Sequence, residues 1–273
     1  MIVETPSITL PEPGIYPNVP FDTYLHWPCL SQTTLKLGRQ SMAHVRCAMD
    51  EERVLIPTDD MMLGSALHTA FLEPELMPDR VVKWEGKARA GNDWKAFKAI
   101  HAGKIILTAG MHEKLVGMTR SLRKHPEVKR WQSKIQEVEV SIVGELEGVK
   151  FKGRIDALTI DPLIDLKKVC DGDRRLFARN AYDFGYHIQA AIYMRLFRRE
   201  RFILMTVEDQ PPYDVLPYEL SQSFIDRGWD EAVSLLRQVR FCMDTGLWPG
   251  RSDVPVPLEE PSWLSQSDRK ILG

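Results

Sequence analysis

Residues 149–169 read VKFKGRIDALTIDPLIDLKKV. The stretch predicts two strands joined by a tight turn at Asp161-Pro162, because Asp favours the first turn position and Pro presets φ for the next. Side chains alternate along a strand, so Lys152, Arg154, Asp156, Leu158 and Ile160 are expected on one face and Asp165 and Lys167 on one face of the return strand. Antiparallel pairing across an even turn sets even positions opposite odd ones. Asp156, Asp165 and Lys167 then share a face. Their neighbours Ile155, Leu158, Ile160, Ile164, Leu166 and Val169 are apolar enough to be buried, and a charge left without a partner there is costly. Two converging carboxylates suit a hard divalent cation, Mg²⁺ or Mn²⁺. A lysine beside such an ion can orient or deprotonate a water, and as a base its pKa must fall from about 10.4. Taken alone, the pattern also describes an ordinary hairpin with a structural Asp–Lys pair.

The 273 residues, 44% of them hydrophobic, suffice for a real core, and we read one domain with an extended N-terminal arm (about 1–20) and a Pro-rich tail (about 249–273). The N-terminus lacks a basic start followed by an apolar run, and no later stretch approaches a membrane span, so a soluble, cytoplasmic protein is expected. Cys29, Cys47, Cys170 and Cys242 are scattered without a C-x-x-C pair, which argues against a zinc ribbon, an iron–sulfur cluster or a disulfide framework. Residues 78–134 hold 14 Lys/Arg against 5 Asp/Glu, although the chain as a whole is at −2. That segment is a candidate phosphate-facing surface, with Lys83, Lys87, Arg89, Lys95 and Lys98 as its leading groups; solvated helix faces are the plainer alternative.

In chain order, Ser31 is placed to cap a short helix through Leu37, followed by a second over roughly 40–50. Thr58 or an Asp caps a helix with Met62, Ala66, Leu67, Ala70 and Phe71 at helical spacing, closed by Pro74. Gly64 and His68 lie four apart on one face of it. Further helices are expected over Asn92–His101, Thr108–Lys124, Tyr186–Arg199 and from Ser221 to Asp244; Arg174–Tyr182 is ambiguous. Glu137–Val143 reads as the strand entering the hairpin, and Phe202–Val207 and Val215–Leu220 extend the sheet. Gln189 and Tyr193 share a helix face beside Ile188, Ile192 and Leu196.

A G-x-x-x-x-G-K-[ST] loop is absent, so ATP-driven function is not expected, and neither H-E-x-x-H nor G-x-S-x-G occurs. What remains is an ordered set: G-x-x-x-H on a helix, GRID on a strand, DLK on its partner, and Q-x-x-x-Y on the next helix. This order resembles the PD-(D/E)xK nucleases of the RecB and RecE type. The likeness is greatest to the RecE-like (exonuclease VIII-like) exonucleases of phages and prophages. GSALHTAFLEP, KARAG, GKIILT, GRIDAL, LIDLKK, YHIQAAIY, GLWPG and PSW all resemble landmarks of that group.

The resemblance implies an α/β fold of restriction-endonuclease type, with a central mixed sheet between helices, and Mg²⁺-dependent cleavage of DNA, Mn²⁺ being able to substitute. It makes His68, Asp156 and Asp165 metal ligands, with the Leu166 carbonyl as a further one, and Lys167 the residue that positions or activates water. Gln189 and Tyr193 become catalytic helpers that support the ligands or contact DNA. Arg154 and the basic segment are candidates to hold phosphates. Asp165 stands where many relatives have Glu, and Lys168 where Thr is common, which leaves that last contact open. The relatives digest duplex DNA from its ends, 5′→3′, as homo-oligomeric rings that pass single strands to an annealing protein. The competing readings are an endonuclease on branched or flapped DNA and a catalytically silent DNA-binding protein on the same fold.

Overall fold

The computed structural model describes residues 11–50 and 57–260. Its strands are β1 (Gly14–Tyr16), β2 (Leu30–Ser31), β3 (Val81–Lys83), β4 (Ile105–Leu107), β5 (Glu137–Leu146), β6 (Val149–Leu158), β7 (Leu163–Val169), β8 (Phe202–Glu208) and β9 (Val215–Glu219). The main sheet runs β1-β5-β6-β7-β8-β9, with β2 added to β6, while β3 and β4 form a separate parallel pair. It is mixed: β7 and β8 are parallel, β2 joins β6 in parallel, and the other neighbours are antiparallel. Helices cover both faces. Tyr186–Phe197 and Gln222–Thr245 pack one apolar cluster, and Asp59–Leu72 and Ala109–Lys124 the other.

The helices start where side chains can take up free N–H groups. Thr58 Oγ1 accepts from Met61 N at 3.2 Å, Thr108 Oγ1 from Met111 N at 3.3 Å, and Ser31 Oγ from Thr34 N at 3.2 Å. Asp173 accepts from the N–H groups of Arg175 and Leu176, which settles the ambiguous stretch as a helix, Arg174–Asp183. Ser221 does precede the last helix, but its hydroxyl meets Ser223 instead of the backbone. Helix Tyr186–Phe197 is apolar on nearly every side because it lies beneath the sheet and under the final helix.

The central hairpin differs from the expected flat ribbon. β6 and β7 follow one another around Asp161-Pro162, yet they share a single ladder pair, Ala157 with Ile164. Beyond it they diverge. Leu166 N–H points to the β6 side and finds the Asp156 carboxylate, Oδ2 at 2.6 Å. β2 enters the opening and pairs with Phe151 and Lys152. Strict alternation also fails here: Ile155 and Leu158 lie in one core cluster and Ala157 in the other. Leu158 therefore leaves the face that regular pleating would have it share with Lys152, Arg154 and Asp156, and Asp156 reaches across the fork to Leu166 N.

Other departures are local. Of the expected N-terminal arm, Gly14–Tyr16 is an edge strand on β5 and residues 1–10 lie outside the described residues; helix Phe21–His26 follows the arm. Pro126–Gln132 is a short helix that the sequence reading passed over. Residues 251–260 carry no helix or strand, and 261–273 lie outside the described residues.

The two central helices cross at Gly228, where a Cβ would fall 2.2 Å from the carbonyl oxygen of His187. Backbone cannot yield there as a side-chain tip can. Gly228→Ala should destabilise by about 1–3 kcal/mol, the usual cost of overpacking, measured by urea unfolding. An unchanged midpoint would show that the crossing is looser than described.

Candidate active site

The fork gathers charge from both helical layers. His68, one turn after Gly64 on helix Asp59–Leu72, directs Nδ1 to Glu139 Oε1 and to Asp156 Oδ1, 3.6 Å each, while Nε2 lies 3.1 Å from the Leu166 carbonyl. Ligand atoms of His68, Glu139 and Asp156 all lie within 4.8 Å of one another. Glu139 takes part because β5 is bent there: its φ is +52°, the left-handed region, and it drops out of the ladder between Val138 and Val140. Arg154 holds its other side, Nε to Oε2 at 2.7 Å.

Asp165 and Lys167 form the second half. Their charged ends make a close ion pair through Oδ2, and Gln189 Nε2 donates to Oδ1 at 2.6 Å. Tyr193 sits one turn further on, 3% exposed, its hydroxyl accepting from Arg154 N at 3.2 Å. The ring lies against Gly153, where a Cβ would come within 2.8 Å of it, which explains the glycine of GRID. Burial places Gln189 and Tyr193 behind the carboxylates and not at the surface where DNA would touch them.

The helix carrying both residues begins at a gripped turn. Gly185 adopts φ +67°, and the carbonyls before it are held by cations from the segment after β2: Lys36 Nζ on Phe184 O at 2.7 Å, and Arg39 Nη1 on Tyr182 O and Asp183 O at 2.9 and 3.1 Å. Arg39 also bonds Glu231, which meets the buried His187. Burial and the neighbouring Lys167 push the Lys36 ammonium down to about 8.

Electrostatics separate the roles of the charged groups. Burial, opposed by His68 but reinforced by Asp165 and Glu139, raises Asp156 to about 7. Burial alone would depress His68, but Asp156 and Glu139 outweigh it and lift the imidazole to about 9. Burial likewise works against the Lys167 charge, yet Asp165 and Asp156 overcome it and the pKa moves up. The fall that a general base requires is absent. Lys167 is held as an ammonium, its Nζ 4.8 Å from the centre of the Tyr186 ring, and suits orienting better than deprotonating.

The basic residues do not form one free surface. Arg154 is committed to Glu139, Ser141 and the Val19 carbonyl. Lys83 pairs with Glu85 at 3.0 Å and Arg89 with Asp59 at 2.5 Å. Lys87, Lys95 and Lys98 are exposed, the last two on helix Gly91–Ile100, which has no buried residue and rests on contacts of Trp84 with Trp94 and Phe97. Lys168, the departure from Thr, bonds Asp60 at the start of the His68 helix.

Residues 31–254 match the model of a family described as a PDDEXK-like domain of unknown function (DUF3799). The chain belongs to this family. No curated protein matches it. Among solved structures, a presumptive exonuclease from Eubacterium rectale is similar over 91% of this chain and 98% of its own, at 13% identity and TM-score 0.65. That likeness shows a shared fold. A phage-related exonuclease from Haemophilus somnus (15% identity; 67% of this chain, 94% of that; TM-score 0.33) and the alkaline exonuclease of Laribacter hongkongensis (15%; 76% and 93%; 0.30) superpose too loosely to add to it. The PDDEXK-like assignment agrees with the order of motifs read from the sequence.

A hard divalent cation fits the residues of this PDDEXK-like fork. The donors are an imidazole and carboxylate oxygens, and Asp165 Oδ2 is buried with no hydrogen bond beyond its contact with Lys167. Of the expected ligands, His68 and Asp156 meet directly. Asp165 faces them from β7, and the Leu166 carbonyl is engaged by His68. Glu139 was missed, its only sequence signal being a charge inside the alternating run EVEVSIV.

Without metal, stability should fall as pH rises. Asp156 with its raised pKa binds a proton in the folded state that the unfolded chain has released, from its ordinary 3.8 up to about 7, and His68 does the same from 6.5 to about 9. Glu139, whose pKa is lowered, acts in the opposite sense only around and below its ordinary 4.5. Thermal unfolding in EDTA should show a decline in Tm between pH 5 and 8, above which Lys36 with its lowered pKa acts in the opposite sense, and Mg²⁺ should offset that decline. Asp156→Asn should flatten its acid half; a decline of the same shape in that variant would contradict the assignment.

Proposed function

We propose that the protein is a divalent-metal-dependent deoxyribonuclease that degrades linear duplex DNA from its ends. The reading rests on one observation: Asp156, Asp165 and Lys167 converge at the fork between β6 and β7, with His68 and Glu139 closing the site from the next helix and strand. We further propose Mg²⁺ as the ion, with Mn²⁺ able to replace it. His68, Glu139, Asp156 and Asp165 would hold it, and the Leu166 carbonyl lies beside them. When bound, it supplies a Lewis acid that polarises the phosphate and favours ionisation of water.

The protein's own part is positioning. The Lys167 ammonium donates to a phosphate oxygen or to the attacking water, and Asp165, fixed by Gln189, keeps it aimed. Tyr193 sets the height of β6 by filling the space over Gly153. Exposed Lys87, Lys95 and Lys98 attract the DNA backbone. The 5′→3′ direction, a ring of subunits, transfer of the product strand to an annealing protein, a role in recombination and a place in the bacterial cytoplasm extend the same proposal by resemblance. Among the described residues no helix is long and apolar enough to cross a membrane.

Purified protein with Mg²⁺ should release acid-soluble nucleotides from linear but not from closed circular duplex. Cutting of circles would instead indicate an endonuclease, and loss of neither a silent binder. Asp165→Ala and Lys167→Ala should abolish release while leaving the fold and most DNA affinity in place; near-normal turnover in either would rule out this centre. Replacing Lys95 and Lys98 together should flatten log Kd against log salt by about two units, at about 0.9 per phosphate contact. Titrations at several salt concentrations read that slope, and no change would return these lysines to a solvated face.

A further inference from the structure

The β6 side of the fork ends in an aromatic side chain that stays more than half exposed. Phe21 opens helix Phe21–His26 and is 57% exposed, and Leu25, one turn on, is 51% exposed. Single exposed apolar residues are common and mean little. Phe21 differs in being anchored so firmly. Its ring stacks on Tyr24, centroids 6.1 Å apart and planes 27° from parallel. The buried Lys152 ammonium ties the end of the helix by donating to the carbonyls of Tyr24, Leu25 and Trp27 at 3.0, 2.6 and 2.8 Å. Arg154 holds the start, Nη1 on Val19 O at 2.9 Å, with its guanidinium 5.9 Å from the Phe21 ring.

Arg154 also connects this platform to the reacting centre, since its Nε bonds Glu139, which meets His68. One side chain thus separates Phe21 from the carboxylate cluster. A nucleobase lies one sugar away from its phosphate, so a phosphate at the cluster brings a base to this edge. A flat, exposed ring beside a guanidinium matches the chemistry that stacks unpaired bases.

We propose that Phe21 stacks a nucleobase adjacent to the reacting phosphate, so that the site takes a nucleotide unstacked from its duplex. This rests on the reading of the fork as a DNA site and names how that site holds its substrate. Such stacking is tolerant of sequence, since every base presents a π-face, and its loss weakens binding by about 5- to 150-fold.

The test is a cycle between protein and DNA. Affinities in Ca²⁺ are measured for linear duplexes carrying an abasic tetrahydrofuran unit at successive positions from the end of each strand. With wild type, one position should lose about tenfold. Phe21→Ala should lose as much on intact DNA and nothing more at that abasic position. Phe21→Leu, which keeps apolar cover without a flat ring, should behave like Phe21→Ala, and Phe21→Trp like wild type. An abasic penalty undiminished in Phe21→Ala, or no sensitive position in wild type, overturns the proposal. If wild type binds and degrades linear DNA but the cycle is additive, only the role of Phe21 fails. If wild type neither binds nor degrades it, the nuclease reading fails and takes this one with it.

Discussion

The hydrogen bond from Leu166 N–H to the Asp156 carboxylate is the constraint on which the rest of the site depends. In a continued ladder that N–H would serve main chain on β6; here a side chain replaces it. The replacement satisfies the backbone group and stops the pairing at once. With the strands apart, β2 finds an open edge on β6, and the turn after β2 brings Lys36 and Arg39 to the start of the helix that carries Gln189. The opening also lets His68 reach the Leu166 carbonyl from the opposite layer.

Concentrating carboxylates in a buried fork is unfavourable, and the protein offsets it by pairing each one differently. Asp165 meets Lys167 and Gln189, Glu139 meets Arg154 and His68, and Asp156 meets a backbone N–H with His68 nearby. Asp156 has the weakest compensation and accordingly the carboxyl pKa most clearly pushed up. The same crowding keeps Lys167 charged. One arrangement therefore stores the negative charge that would hold a divalent cation and fixes the ammonium that would face a phosphate.

Rigidity comes from behind the site. Tyr193 fills the space over Gly153, Gln189 braces Asp165, and their helix is fixed at its start by Lys36 and Arg39 and along its length by the close crossing at Gly228. Each contact spans a long stretch of sequence. Helix Gly91–Ile100 contrasts with this, having no buried residue and resting on partly exposed aromatics.

By itself the sequence determined the features set by local chemistry. Ser31, Thr58 and Thr108 start helices because their side chains reach N–H groups three residues on, and the apolar run of Tyr186–Phe197 requires a covered helix. Asp156, Asp165 and Lys167 stood out as charges among residues that must be buried, and the order of motifs pointed to the PD-(D/E)xK fold. Tertiary structure alone decided how those charges meet. Glu139 joins through a left-handed kink that its alternating neighbours conceal, and Arg154 turns inward to hold it. Asp156 takes its partner from the backbone N–H of Leu166 on the neighbouring strand, and Lys167 stays charged because two carboxylates outweigh burial. Such outcomes depend on distances between segments remote in sequence, and periodicity carries no information about those distances.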